Sequence, residues 1–197
     1  ASFHTPVNLH APAPYVSPGG PILVFGGNRA TGLEIVRMLR EKGEDVTVAV
    51  RATSNTEALE ALGAKTVVAD ALEADTVRAA FTSGTYKVVV STLGTSRGEN
   101  AKRPDFVGNR NVIDAAKEAG ATRFVFVTVI GTGNSWEAAP RPARSFLKEV
   151  IELKGKAEDH LRASGLQYTI IRPGGLSEGK STGKAVLADD PEAFSYI

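Results

Sequence analysis

A glycine-rich turn carries the residues of this chain whose spacing is most suggestive of chemistry. It reads Gly26-Gly27-Asn28-Arg29-Ala30-Thr31-Gly32, follows the apolar run 22–25 directly and opens a stretch with helical periodicity. A sharp strand-to-helix turn needs glycine for its backbone freedom, and the helix N-terminus then offers free N–H groups and a positive dipole end to phosphate. Because the turn lies in this context, we predict a pyrophosphate site rather than an ordinary loop, formed by Gly26, Asn28, Arg29, Ala30, Thr31 and Gly32.

Arg29 departs from the usual pattern of such turns. It stands where a central glycine normally lets phosphate approach the backbone. Its side chain either narrows that approach or supplies the phosphate ligand itself, since a guanidinium matches phosphate oxygens bidentately. We favour the second interpretation.

The residue after the second apolar run bears on the choice of dinucleotide. At this position NAD binders place an acidic residue on the ribose 2′-hydroxyl, and NADP binders place an arginine. The sequence here is Val50-Arg51, with no carboxylate until Glu57. We therefore expect NADP(H) as cofactor, with Arg51 and Arg29 near the 2′-phosphate; the alternative is that Arg51 is a solvated surface residue.

The ends of the third and fourth runs supply four further candidates for the cofactor site. Asp70, with Ala71, is expected near the adenine, although Asp70 could equally cap a helix beginning at Leu72. Leu93 and Gly94 close the fourth run, where glycine allows a loop to approach a cofactor closely or merely turns the chain.

These candidates follow apolar runs that predict strands buried on both faces. The runs are 22–25, 46–50, 66–69, 88–92, 124–128 and 168–171. Amphipathic stretches between them predict helices over 31–42, 106–119 and 146–163. This alternation indicates an α/β fold, a doubly wound parallel sheet with helices on both faces, whose ligands bind outside the carboxyl ends of the strands.

Composition excludes several classes of function. With 23 Lys and Arg against 22 Asp and Glu, no basic field indicates nucleic-acid binding. No apolar window approaches the ~18 residues of a transmembrane segment, so we expect a soluble protein. Cysteine is absent, and the histidines His4, His10 and His160 have no ligand neighbours at metal spacing, so we expect no metal site.

The chain of 197 residues is predicted to be one domain with an N-terminal extension. The first 21 residues carry five prolines and no apolar periodicity, so residues 1–20 form an extended arm and residues 21–197 the folded domain. The arm either docks a protein partner or is a terminal tail. A start at Ala1 fits removal of methionine or of a targeting peptide, so the cytoplasm and an organelle such as a plastid both remain open.

Several segments together resemble one known family. They are Val24-Phe25-Gly26 through Gly32, Val50-Arg51, Leu93-Gly94-Thr95, and the ranges 108–112 and 164–174. On these residues, over about positions 21–188, the chain resembles the NmrA-like, NAD(P)-binding group of atypical short-chain dehydrogenase/reductases, especially the flavin reductase/biliverdin-IXβ reductase type. The resemblance implies a Rossmann-like fold, NADP(H) binding that includes Thr128, Lys154 and Pro173, and a substrate part that continues beyond Ile197 in relatives and is therefore incomplete here.

The resemblance carries over only part of the family's catalytic residues. Lys154 matches the family lysine, but Val150 stands at the tyrosine position and Val129 at the serine position. Lys154, Thr128, Tyr168 or solvent would have to donate a proton, and each of the three side chains also has a structural interpretation. Lys154 either bonds the nicotinamide ribose or is a helix-surface lysine.

Two functions from different classes therefore remain open. The first is an NADPH-dependent reductase of a flavin, quinone or similar conjugated acceptor, with Lys154 as catalytic candidate. The second is a non-catalytic NADP(H)-binding scaffold, redox sensor or assembly subunit of a larger complex. A loop at 177–183 could close over the nicotinamide or be only a mobile connector. Trp136 could line a pocket, dock a partner or anchor its loop.

Overall fold

The computed structural model describes residues 14–95, 102–176 and 179, together with the backbone of two short strands at 7–8 and 186–187. The strands of these residues are β1 Val7–Asn8, β2 Ile22–Phe25, β3 Val46–Val50, β4 Lys65–Val68, β5 Val88–Ser91, β6 Arg123–Val127, β7 Tyr168–Ile171 and β8 Val186–Leu187. The helices are α1 Ala30–Glu41, α2 Glu57–Ala61, α3 Ala74–Thr82, α4 Val107–Glu118, α5 Arg141–Phe146 and α6 Lys148–Ala163, with a 3-10 turn at Gly133–Ser135.

Six strands form one parallel sheet in the order β4-β3-β2-β5-β6-β7. The first strand of this sheet, β2, lies near its middle. The chain then extends to one edge through β3 and β4, and afterwards adds β5, β6 and β7 on the other side of β2. Strand order therefore reverses between β2 and β5. The predicted α/β doubly wound sheet is confirmed, and its switch point lies where ligands of such sheets bind.

The central strand β2 separates the two layers of the core. Ile22 and Val24 pack in one cluster with the side chains of β3 and with α1, whereas Leu23 and Phe25 pack in the other with residues of α3, α4 and α6. All four side chains are at most 2% exposed. A continuous apolar run is required here because helices cover both faces of the strand.

The expectation that all six strands are buried on both faces is wrong for the two edge strands. In β4, Val68 is 62% exposed, and in β7, Tyr168 and Ile171 are 43% and 42% exposed. β4 and β7 each have only one sheet neighbour among the described residues. An edge strand lacks a neighbouring strand on one side, so its apolar side chains are less completely covered.

The ends of some predicted elements also differ. β4, β5 and β6 each end one residue earlier than predicted, and α2 was not predicted. The predicted helix 146–163 is interrupted at Leu147, whose φ of −100° and ψ of 8° separate α5 from α6. α3 begins at Ala74 rather than at Leu72. The Asp70 carboxylate accepts a hydrogen bond of 2.9 Å from the Leu72 N–H, so it stabilises the turn before α3 and does not cap the helix.

The N-terminal arm is attached to the folded domain at two places. β1 pairs antiparallel with β8, Val7 opposite Leu187. Further along, the Tyr15 and Ser17 hydroxyls donate hydrogen bonds of 2.7 and 3.1 Å to the two carboxylate oxygens of buried Glu44. Burial and the Glu44 carboxylate raise the pKa of Tyr15 to about 12. This part of the arm therefore lies on the protein's own surface, and binding of a partner by the arm stays a prediction.

Candidate functional site

A cavity of about 520 Å³ lies at the carboxyl ends of the central strands. The residues predicted from the sequence for the cofactor site all line it. They are Gly26, Asn28, Arg29, Ala30, Thr31, Gly32, Arg51, Asp70, Ala71, Leu93, Gly94, Thr128, Lys154 and Pro173. The sheet topology thus brings the separate strand ends together at one site, and their contact with a nucleotide stays a prediction.

The first turn packs too closely against its neighbours to accept side chains at two of its glycines. Gly26 has a φ of +82°, which favours glycine. A Cβ on Gly32 would lie 2.0 Å from the Gly26 carbonyl oxygen and 2.7 Å from the Thr92 hydroxyl. The Thr92 hydroxyl in turn donates a hydrogen bond of 3.0 Å to the Gly26 carbonyl. Glycine at position 32 therefore lets α1 start directly beside β5, with its N-terminus at the cavity.

Arg29 occupies the central position of the turn without unusual backbone. Its φ of −159° is extended, and the positive φ falls instead on Ala30, at +45°. The first turn of α1 contains no acidic residue, and Arg29 makes no side-chain cap. No acidic side chain of the helix itself therefore competes for the N–H groups at this end, and the exposed Arg29 and Arg51 add two cations to the cavity wall.

Lys154 is a buried residue of the cavity wall. It is 6% exposed, so the interpretation as a helix-surface lysine is wrong. Its ammonium donates hydrogen bonds of 2.7 Å to the Leu93 carbonyl and 3.3 Å to the Val127 carbonyl. Burial lowers the pKa of Lys154 to about 8, against the opposing effect of Asp105 and Glu158. Burial therefore favours the neutral amine, and the two carboxylates favour the ammonium ion.

A buried carboxylate one helical turn further on fixes this end of the cavity. Glu158 is 0% exposed and accepts hydrogen bonds from the Thr128 and Thr132 hydroxyls and from the Arg172 and Arg162 guanidiniums. Burial alone raises the pKa of Glu158, but the hydrogen bonds from Arg172, Thr132 and Thr128 outweigh it and lower the pKa overall. Glu158 therefore joins α6 to the ends of β6 and β7.

The remaining candidates for proton donation differ in position. The Thr128 hydroxyl donates to Glu158 at 2.8 Å. Tyr168 is the first residue of β7, at the amino end of the sheet, and does not line the cavity, so its candidacy is wrong. Trp136 also lies outside the cavity wall and stacks with the Arg144 guanidinium at 5.5 Å, as a loop anchor. The loop 177–183 lies outside the described residues apart from Gly179.

Several residues of the site were missed by sequence reasoning. Ser54, Lys102, Pro104 and Leu176 also line the cavity, in turns and loops where neither apolar periodicity nor a glycine pattern marks them. Thr95 lines it too, and its place directly after Gly94 was a usable signal. Glu158 had a usable signal, since it lies four residues after Lys154 on the same helix face.

Within the described residues, no cluster of His, Asp or Glu has the arrangement of a metal site. Nor is any of the helices described long and apolar enough to cross a membrane.

Comparison with known proteins agrees with the geometry of the site. A family model described as NAD(P)H-binding matches residues 26–196. The solved structure of ChuY, described as an anaerobillin reductase from Escherichia coli O157:H7, is 31% identical with a TM-score of 0.79, over 90% of this chain and 84% of ChuY.

Two curated relatives are longer than this chain. A chloroplastic protein of Arabidopsis thaliana is 30% identical over 192 residues, which are 89% of this chain and 65% of that protein. The photosystem II assembly factor Ycf39 of Guillardia theta is 29% identical over 158 residues, 80% of this chain and 47% of Ycf39. The chain thus spans less than two thirds of each. With its fold, its glycine turn and the extent of the family match, this chain belongs to the NAD(P)H-binding family, among the atypical short-chain dehydrogenase/reductases.

Proposed function

We propose that this chain binds NADP(H) and acts as an NADPH-dependent reductase of a flavin, quinone or similar conjugated acceptor. The observation that carries the proposal is one continuous cavity, with the glycine turn and Arg51 on its wall together with the buried ammonium of Lys154. The similarity to ChuY, described as an anaerobillin reductase, supports the same class of reaction.

The described residues fit a dinucleotide phosphate. The tight packing at Gly26 and Gly32 places the N-terminus of α1 at the cavity, where its N–H groups would bind the pyrophosphate. Arg29 and Arg51 would neutralise phosphate charge, and Arg51, directly after β3, would bind the 2′-phosphate that distinguishes NADP(H). Asp70 and Ala71 would lie beside the adenine, as their place after β4 suggests.

The other end of the cavity would hold the nicotinamide and the acceptor. A bound dihydronicotinamide supplies hydride, a chemistry for which the protein mainly contributes binding and orientation. Lys154 would orient the ribose through its ammonium, and Thr128, Pro173 and Leu176 would form the surrounding wall. Because a conjugated acceptor delocalises the incoming charge, this reaction would tolerate Val129 and Val150, which stand at the serine and tyrosine positions of the family pattern that the chain resembles.

A second candidate function is that of a non-catalytic NADP(H)-binding scaffold or assembly subunit. It is favoured by the hydrogen bonds that already engage the Lys154 ammonium and the Thr128 hydroxyl with protein acceptors. The similarity to Ycf39, described as a photosystem II assembly factor, supports this second candidate. The N-terminal arm would then be a candidate for partner binding.

The chloroplastic relative supports a plastid location, which imaging of the fluorescently tagged full-length protein would check.

The first experiment is a fluorescence titration of the purified chain with NADPH and separately with NADH. We expect NADPH to bind more tightly than NADH. In Arg51→Ala, the ratio of the two affinities should fall about tenfold or more, since one charge-assisted phosphate contact contributes about 1.5–3 kcal/mol. Arg37→Ala is the matched control, because Arg37 is paired with Glu34 and Glu41 on the outer surface of α1 and does not line the cavity.

Turnover then separates the two functions. NADPH oxidation is measured with flavin, quinone and linear tetrapyrrole acceptors, in the wild type and in Lys154→Ala. Acceptor-dependent oxidation that Lys154→Ala diminishes supports the reductase. NADPH binding without oxidation of any acceptor supports the scaffold, and binding of neither nucleotide contradicts both.

A further inference from the structure

Asp105 is a buried carboxylate that the proposed reaction does not use. It lies just before α4, and its side chain is 0% exposed. Its Oδ2 atom accepts a hydrogen bond of 2.9 Å from the Thr95 hydroxyl and lies 3.9 Å from the Arg103 guanidinium. Its Oδ1 atom is buried and accepts no hydrogen bond from any described residue. Such an atom needs an explanation, since buried polar groups in folded proteins are nearly always paired.

The unpaired oxygen lies close to the ammonium of Lys154. A Cβ built on Gly94 would be 3.4 Å from Asp105 Oδ1 and 3.5 Å from Lys154 Nζ. Both groups thus border the same small space, which is empty of protein only because residue 94 is glycine. Gly94 and Lys154 line the cavity, whereas Asp105 does not.

The hydrogen bonds of Lys154 do not fully stabilise its positive charge. Two of its three ammonium hydrogens are directed at the Leu93 and Val127 carbonyls, and the Phe126 ring lies 5.6 Å away. These neutral groups solvate the ammonium only in part, and burial favours the uncharged amine.

Two carboxylates act on Lys154, and they are not equivalent. Glu158 is hydrogen-bonded by Arg172 and Arg162, so much of its charge is compensated locally. Among the described residues, the one cation paired with Asp105 is Arg103, at 3.9 Å, and Arg103 itself forms a closer pair of 3.0 Å with Glu149. The charge of Asp105 is therefore the less compensated of the two.

We propose that Asp105 is a positioning residue, the counter-charge that keeps Lys154 an ammonium ion at the wall of the cavity. Its effect passes through Lys154, because Asp105 does not line the cavity. The inference deepens the proposed function, since it assigns what maintains the cation at the acceptor end. The balance of effects on Lys154 agrees with it, because Asp105 is the larger of the two contributions that raise its pKa against burial.

The test is to titrate the Lys154 side chain by NMR in protein labelled with 13C-lysine, without cofactor. Its resonance is assigned by its loss in Lys154→Arg. In the wild type we expect the ammonium to lose its proton around pH 8. In Asp105→Asn, which keeps the shape and removes the charge, we expect the midpoint to fall by about 1 pH unit. Asp105→Glu, which restores the charge, should move it back.

Asp75→Asn is the matched control, because Asp75 is fully exposed on α3 and should leave the midpoint unchanged. A midpoint in Asp105→Asn equal to that of the wild type would overturn the proposal. A wild-type Lys154 that is already uncharged at pH 7 would also overturn the proposal. If Asp105→Asn does not fold, Asp105→Ser takes its place. Because the readout needs neither nucleotide nor turnover, its failure is distinct from failure of the NADPH titration.

Discussion

The buried carboxylate of Glu158 gives the sharpest prediction for stability. Glu158→Gln removes the negative charge and leaves the shape nearly unchanged, so the Arg172 and Arg162 guanidiniums lose the carboxylate with which both are paired. Removing one partner of a buried ion pair costs about 3–5 kcal/mol. The two guanidiniums are 19% and 36% exposed, so water can partly hydrate them in the variant. We therefore expect a loss near the lower limit, about 3 kcal/mol.

Urea denaturation at pH 7 measures this loss, with the free energy of unfolding taken from midpoints at a shared slope. Asp159→Asn is the matched control: Asp159 also pairs with Arg162, at 3.0 Å, but is 80% exposed, so its loss should cost less than about 1 kcal/mol. Equal losses in the two variants would refute the reasoning.

The pH dependence of the free energy of unfolding is a second check. The folded pKa of Glu158 is lowered, so its stabilisation is present above the unfolded pKa and disappears as the pH falls through the folded pKa. The wild type and Glu158→Gln should therefore converge in acid.

Three further predictions concern the turn and the lysine. Gly32→Ala should abolish NADPH binding in the fluorescence titration, because its Cβ would lie 2.0 Å from the Gly26 carbonyl oxygen, whereas Gly155→Ala, with open space around it, should bind normally. Ala30→Gly should raise the urea midpoint slightly, since the φ of +45° costs alanine about 1 kcal/mol or more; a lower midpoint would contradict this. The pKa of Lys154 is lowered from 10.5 to about 8, so the free energy of unfolding of the wild type should increase, relative to that of Lys154→Met, as the pH rises between these two values. If the free energies of unfolding of the two proteins change in parallel with pH, the assigned effect of burial is contradicted.

The sheet could be predicted well because each inner strand is a local apolar run. The bounds of β2 and β3 agree with the prediction, since both strands are covered on both faces and their composition reflects it. The exposure of β4 and β7 could not be predicted in the same way. It depends on which strand lies at an edge, and that order is a property of the whole chain.

The cavity wall could be predicted where residues directly follow strands. Arg51 and Gly94 were found because the carboxyl ends of parallel strands meet at one edge of the sheet. The burial of Lys154, the unpaired oxygen of Asp105 and the partners of Glu158 had no such signal. Arg172 and Glu158 are 14 residues apart, and Lys154 and Leu93 are 61 apart, so their contacts arise only when the crossovers pack.

The pairing of β1 with β8 has a consequence for the order of folding. It joins positions about 180 residues apart in the chain, through only two residue pairs. The entropy of closing so long a loop rises only slowly with length, but a search over that distance is slow compared with the formation of neighbouring βα units. This two-stranded ladder is therefore expected to form after the parallel sheet and to open before it. In hydrogen exchange, the amides of Val7 and Val186 should lose protection while those of β2 remain closed.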